Sequence, residues 1–158
     1  MADFDVDQNG FVQVYTDGAC SYNGTPMAKA GIGVWWGDDN PLNVSEPISG
    51  RKHTNQAAEI QAALRAVQIA KKYNVRKLAI NTDSQYVKNC MGNWLPTWKE
   101  NGWLNHNRRP VSNQQAIREL DNEINSGDIW VKFRYVQAHA GNYGNEQADY
   151  LAREATEY

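Results

Sequence analysis

The chain has 158 residues, 41% of them hydrophobic and 22% charged, with a net charge of −2; this suits one globular domain that buries a core without disulfide staples. No apolar run reaches the roughly 18 residues of a membrane span. The opening MADFDVDQNG lacks the basic and apolar regions of a secretory signal, and Cys20 and Cys90 stand apart from any ligand spacing. These features exclude a disulfide scaffold and a zinc module, and an intracellular protein away from membranes is expected.

Residues 1–10, with Asp3, Asp5 and Asp7, form an expected flexible acidic leader, ahead of a single domain over 11–158. Phe11 to Asp17 (FVQVYTD) and Lys77 to Asp83 (KLAINTD) alternate β-branched or aromatic residues with polar ones, the period of a half-buried strand. Counted in twos, Asp17 falls with Gln13 and Tyr15, and Asp83 with Lys77, Ala79 and Asn81, so each acid leaves its strand end on the more polar face. If the two strands are parallel neighbours, their carboxyl ends coincide, where open α/β sheets place their sites. Two facing anions then require a cation or a shared proton.

Between them, Ile32–Trp36 and Leu42–Ile48 are expected strands joined by a tight turn at Asp38-Asp39-Asn40-Pro41, which makes the first three strands an antiparallel meander. Thr54-Asn55 caps a helix running to about Tyr73, with Ile60, Ala63, Leu64 and Val67 as its buried face and Glu59 one residue before it. Gln85–Met91 and Gly92–Asn101 are two expected short helices separated by a glycine. Trp94 and Trp98 share one face there, and Lys99, Trp103, Arg108 and Arg109 follow, so a protruding basic and aromatic element suited to nucleic acid is expected. Ser112 or Asn113 caps a helix to about Asn125, and Ile129–Val136 alternates as a last strand. A loop bearing His139 leads to a final helix striped by Ala148, Leu151, Ala152 and Ala155, with Asp149 beside the stripe. The order implies an α/β protein, a mixed sheet with helices on its faces.

Five segments now stand in one order: YTDGACSYNG (15–24), TNQAAEI (54–60), NTDSQYV (81–87), NWLPTWKENGW (93–103) and HAGNYGNEQAD (139–149). With them the chain closely resembles ribonuclease H, type 1, in its cellular eukaryotic form, from about Phe11 to Ala155. The resemblance implies a five-stranded mixed sheet, its first three strands antiparallel and the rest parallel, flanked by helices. It also implies an endonuclease that hydrolyses the RNA strand of RNA/DNA hybrids by two-metal-ion catalysis, leaving 5′-phosphate and 3′-hydroxyl ends with little sequence preference. Asp17, Glu59, Asp83 and Asp149 match the family's four carboxylates and would hold two Mg²⁺ ions, with Mn²⁺ as a substitute, since all-oxygen donors select hard divalent cations. His139 matches a histidine that assists proton transfer or product departure.

By the same resemblance, Cys20, Tyr22, Asn23, Asn55 and Gln56, with Glu59, approach the 2′-hydroxyls of the RNA strand. The DNA strand would lie over Tyr86, Trp94 and Trp98, and one of its phosphates would be gripped by Thr54, Asn113 and either Arg51 or Lys52. Two departures stand out: Gln137-Ala138 replaces the family's Pro-Gly before the histidine, and Arg51-Lys52-His53-Thr54 is one residue longer than the common spacing. No separate hybrid-binding module is read in these residues, so low processivity is expected, as is a monomer without an obligate protein partner. Two other readings compete. A DNA-cutting integrase or resolvase relative is disfavoured by the tryptophan-bearing insert and the TNQ segment, and a non-catalytic hybrid-binding module by the presence of all four acids.

Overall fold

The fold is taken from a computed structural model, which describes residues 3–50 and 52–158. Its centre is strand β1 (Val12–Ser21), flanked on one side by β2 (Lys29–Trp35) and then β3 (Val44–Pro47), both running antiparallel to their neighbours. On the other side β4 (Lys77–Thr82) pairs with β1 in parallel and β5 (Trp130–Tyr135) pairs with β4 in parallel, giving the order β3-β2-β1-β4-β5. The expected five-stranded mixed sheet is the one observed. No helix among the described residues is long and apolar enough to cross a membrane.

Each face of the sheet is defined by what its residues can bury. Val12, Val14 and Thr16 point toward helix α1 (Asn55–Lys72), whose alanines at 58, 62, 66 and 70 are all fully buried. Gly18 continues that row. A Cβ there would lie 2.5 Å from the Glu59 backbone nitrogen, so only hydrogen lets strand and helix meet at this level. The opposite face carries α5 (Tyr143–Ala155). At Gly33 a Cβ would sit 2.1 Å from the Ala148 carbonyl oxygen, so the crossing of α5 over β2 depends on a residue without one. Helix α4 (Gln114–Asn125) packs Ile117 and Leu120 behind α1, closing a core that also holds Val34, Ile60, Val67, Leu78 and Ile80.

Several expectations are corrected. Strand β1 does not stop at Asp17; its pairing with β2 continues from Asp17↔Gly33 to Ser21↔Lys29, whereas the pairing with β4 ends at Thr16↔Thr82. β2 begins three residues earlier than expected, and β3 is confined to Val44–Pro47. Gly92 breaks nothing: α2 (Gln85–Asn89) passes through a π-helical turn at Cys90–Trp94 directly into α3 (Leu95–Asn101). Asn113 precedes α4 with φ 59° and makes no capping hydrogen bond. The leader is docked from Asp3 onward. Val6 bridges to Val12, Phe4 meets Trp36 edge-on at 5.3 Å, and Asp7 accepts from the Asn9 and Phe11 amides and from Arg134 at 2.8 Å. Residues with their own apolar and ionic partners are not a free tail.

Candidate active site and nucleic-acid surface

Three carboxylates from three elements meet where the parallel pairing of β1 and β4 ends. Asp17 comes from β1, Asp83 from the residue after β4, and Glu59 from the second turn of α1, each offering an oxygen within 4.8 Å of the others. Local chemistry holds each in place. Asp17 accepts from the Gly18 amide at 2.9 Å. Ser84, whose hydroxyl caps α2 by accepting from Val87, donates to Glu59 at 2.6 Å. Asn145, buried in the first turn of α5, donates to Asp83 at 3.2 Å.

Such proximity is electrostatically unfavourable. Burial first, then the charges of Asp83 and Asp149, push the Asp17 carboxyl up to about 9. Burial also raises Glu59, against the opposing effect of the Ser84 hydrogen bond. Asp149 stands outside the 4.8 Å group and accepts from Arg153 at 2.9 Å, yet it is near enough for its charge to act on Asp17. An all-oxygen cup that takes up a proton rather than bear its full charge fits a hard divalent cation, which replaces the proton and neutralises the rest.

Beside the cup runs a row of rings. Tyr86, Trp94, Trp98 and Trp103 follow one another at centroid distances of 6.3, 5.8 and 5.9 Å. The row passes from surface to core, with Trp94 40% exposed and Trp103 only 6%. Burial pushes the Tyr86 phenol up to about 12, and its hydroxyl accepts from Asn113 at 3.1 Å.

A sequence model of the RNase H family matches residues 9–157. The chain belongs to the RNase H family. It is 47% identical to Ribonuclease H1 of Mus musculus over 90% of this chain and 49% of that protein, so it spans about half the length of this curated relative. With Ribonuclease H of Stutzerimonas stutzeri it shares 37% identity over 90% of this chain and 89% of the other. The solution structure of the PFV RNase H domain superposes with a TM-score of 0.71 at 26% identity, covering 92% and 93% of the two chains.

Within this RNase H-family chain the remaining candidates fall around the cup. Asn23 accepts from the Asn55 amide at 3.3 Å, and Asn55 donates to Glu59 at 3.4 Å, so the β1–β2 turn and the start of α1 form one rim. Cys20 lies against the His53 carbonyl on that rim, while Tyr22 and Gln56 are exposed beside it. Thr54 accepts from Ala57 as the cap of α1, and Lys52 and Asn113 line one groove of about 600 Å³. Arg51 lies outside the described residues. His139 is exposed on the β5–α5 loop with φ 57°. Ser84 and Asn145 join the site only through the fold, by their hydrogen bonds to Glu59 and Asp83. Their signals were a serine directly after Asp83 and a polar residue one turn before Asp149 on the apolar side of α5.

Proposed function

We infer that the chain is an endonuclease hydrolysing the RNA strand of RNA/DNA hybrids, and that its cation is Mg²⁺, with Mn²⁺ able to substitute. The observation that carries this reading is the convergence of Asp17, Glu59 and Asp83 within 4.8 Å, next to a polar rim and a row of rings. Relatives named ribonuclease H support it.

Asp17, Glu59, Asp83 and Asp149 would hold two Mg²⁺ ions, which supply Lewis-acid stabilisation and water activation for an in-line phosphodiester displacement. The chain's own groups do the rest. Ser84 and Asn145 fix the carboxylate rotamers by hydrogen bonds, so the oxygens need no rearrangement when they take charge. Asn23, Asn55 and Cys20 present polar atoms to ribose hydroxyls, which a DNA strand lacks. On the other side, flat rings at Trp94 and Trp98 pack against deoxyribose more easily than against hydroxylated sugars, which disfavours duplex RNA. His139, exposed on the β5–α5 loop, would assist proton transfer or product departure.

The test is cleavage of a labelled RNA/DNA hybrid beside duplex DNA and duplex RNA, with Mg²⁺ and with chelator. Cutting confined to the hybrid's RNA strand and dependent on the metal is expected. Preferential cutting of duplex DNA would instead favour an integrase-like nuclease, and tight hybrid binding without cutting a binding module.

A further inference from the structure

The face of the sheet that carries Asp17 is covered by α5 over β1, β2 and β3. Over β4 and β5 the same face presents side chains where a helix would otherwise lie. The pairs Lys77↔Trp130, Ala79↔Lys132 and Asn81↔Arg134 place these residues in one strip, with Phe11 and Gln13 beside them. Toward the acids the strip is tied up in itself: Asn81 and Arg134 both donate to Gln13, and Arg134 also pairs with Asp7.

The far end is not. Trp130 is 61% exposed and stands edge-on to the buried Phe11 at 5.1 Å. Lys77 Nζ lies 5.7 Å from the Trp130 ring centre and 5.4 Å from that of Phe11, and Lys132 Nζ sits 3.8 Å over Phe11. Among the described residues neither lysine enters an ion pair, although Arg76 and Arg134 nearby do. Phe11 thus holds two ammonium groups without a carboxylate partner beside an indole that is more than half exposed. Phosphates complement the ammoniums, and a base can stack on the open indole, the combination by which proteins hold single strands. An acidic protein segment would satisfy the lysines but leave the indole face without a stacking partner.

We propose that Trp130, Lys77 and Lys132 form a second nucleic-acid site, which takes a single-stranded stretch continuing from the hybrid engaged at the carboxylates. The site rests on the hybrid-cleaving reading. From Lys77 to Asp83 the strand rises about 20 Å, so the two sites are a few nucleotides apart and lie on one face.

The experiment compares a short blunt hybrid with the same hybrid carrying a single-stranded DNA tail at either end, bound in Ca²⁺ and cut in Mg²⁺. For the unmodified chain the tail at one end strengthens binding about five-fold. Trp130→Ala and the pair Lys77→Gln with Lys132→Gln each remove that advantage, while blunt-hybrid cleavage stays within two-fold. The lysine pair also lowers the salt slope of tail binding by about 1.4, as expected for two phosphate contacts on a single strand. Equal binding of tailed and blunt hybrids by the unmodified chain, or a tail advantage that survives both variants, would overturn the proposal. So would preferential capture of a polyglutamate peptide at this face. Loss of the hybrid-cleaving reading looks different, since the blunt hybrid would then go uncut.

Discussion

The carboxylate cup and the aromatic row lie side by side and are built on opposite energetic terms. Asp17, Glu59 and Asp83 are brought together against burial and mutual repulsion, so the fold around them bears a cost that a bound cation relieves. The rings from Tyr86 to Trp103 gain stability from being together, and their inner member is part of the core. A residue of the cup therefore serves chemistry at the expense of folding. A residue of the row can serve both, in a proportion set by its depth.

The largest effect should follow from Asp17→Asn. Loss of the central carboxylate is expected to lower hybrid cleavage by about 10³-fold or more, measured by single-turnover assay. The metal-free protein should at the same time become more stable, by roughly 3–10 °C in Tm, because the neutral amide needs no proton uptake to be buried beside Glu59 and Asp83. Lower stability together with lost cleavage would mean that Asp17 is held by favourable contacts and would break the contrast.

The row sharpens it. Trp94→Ala with Trp98→Ala should weaken hybrid binding roughly 10- to 100-fold, read by titration in Ca²⁺, with little change in cleavage at saturating hybrid. Trp103→Ala should act on the fold instead, costing about 3–5 kcal/mol in a denaturant melt, since that ring is buried against Trp98 and under the Arg118 guanidinium.

A third effect is on pH dependence. Asp17 ionises near 3.8 in the unfolded chain and at about 9 in the fold, so between these values the folded state holds more protons and stability falls as pH rises. Asp7 acts in the opposite sense. The Phe11 amide first, and Arg134 after it, hold its carboxyl below the usual value, so its contribution is lost only as pH falls through the acid range. Thermal melts of the metal-free protein should thus decline from pH 5 to pH 9, and Mg²⁺ should flatten the decline. A stability that rises with pH across this window would contradict the raised Asp17.

The strands and helices that build the cup were legible because their periods are strong: FVQVYTD and KLAINTD alternate cleanly, and Thr54 caps α1 where expected. What escaped was tertiary. Nothing local says that β1 runs on past Asp17, since its last residues are held by β2 alone. The acidic leader has the composition of a solvated tail, and the partners that tie it down include residues far along the chain, Trp36 for Phe4 and Arg134, 127 residues away, for Asp7. Gly92 suggested a break, but the π-helical turn absorbs it without one.

The smallest effect concerns the link between the row and the groove lined by Lys52. Asn113 donates to Tyr86 and lines the groove that also holds Lys52, yet its φ of 59° is a conformation that only asparagine, aspartate and glycine adopt readily. Asn113→Ala would mix lost contact with backbone strain, so Asn113→Gly is the cleaner change. It removes the amide while keeping the turn, and α4 loses no side-chain cap because Asn113 provides none. Hybrid affinity should fall about two- to five-fold, the scale of one hydrogen bond, with Tm nearly unchanged. Tyr86→Phe leaves the Asn113 amide in place, so a smaller loss there shows the amide acting on substrate itself. Equal losses in the two variants and in their combination would show it acting only by orienting the Tyr86 ring.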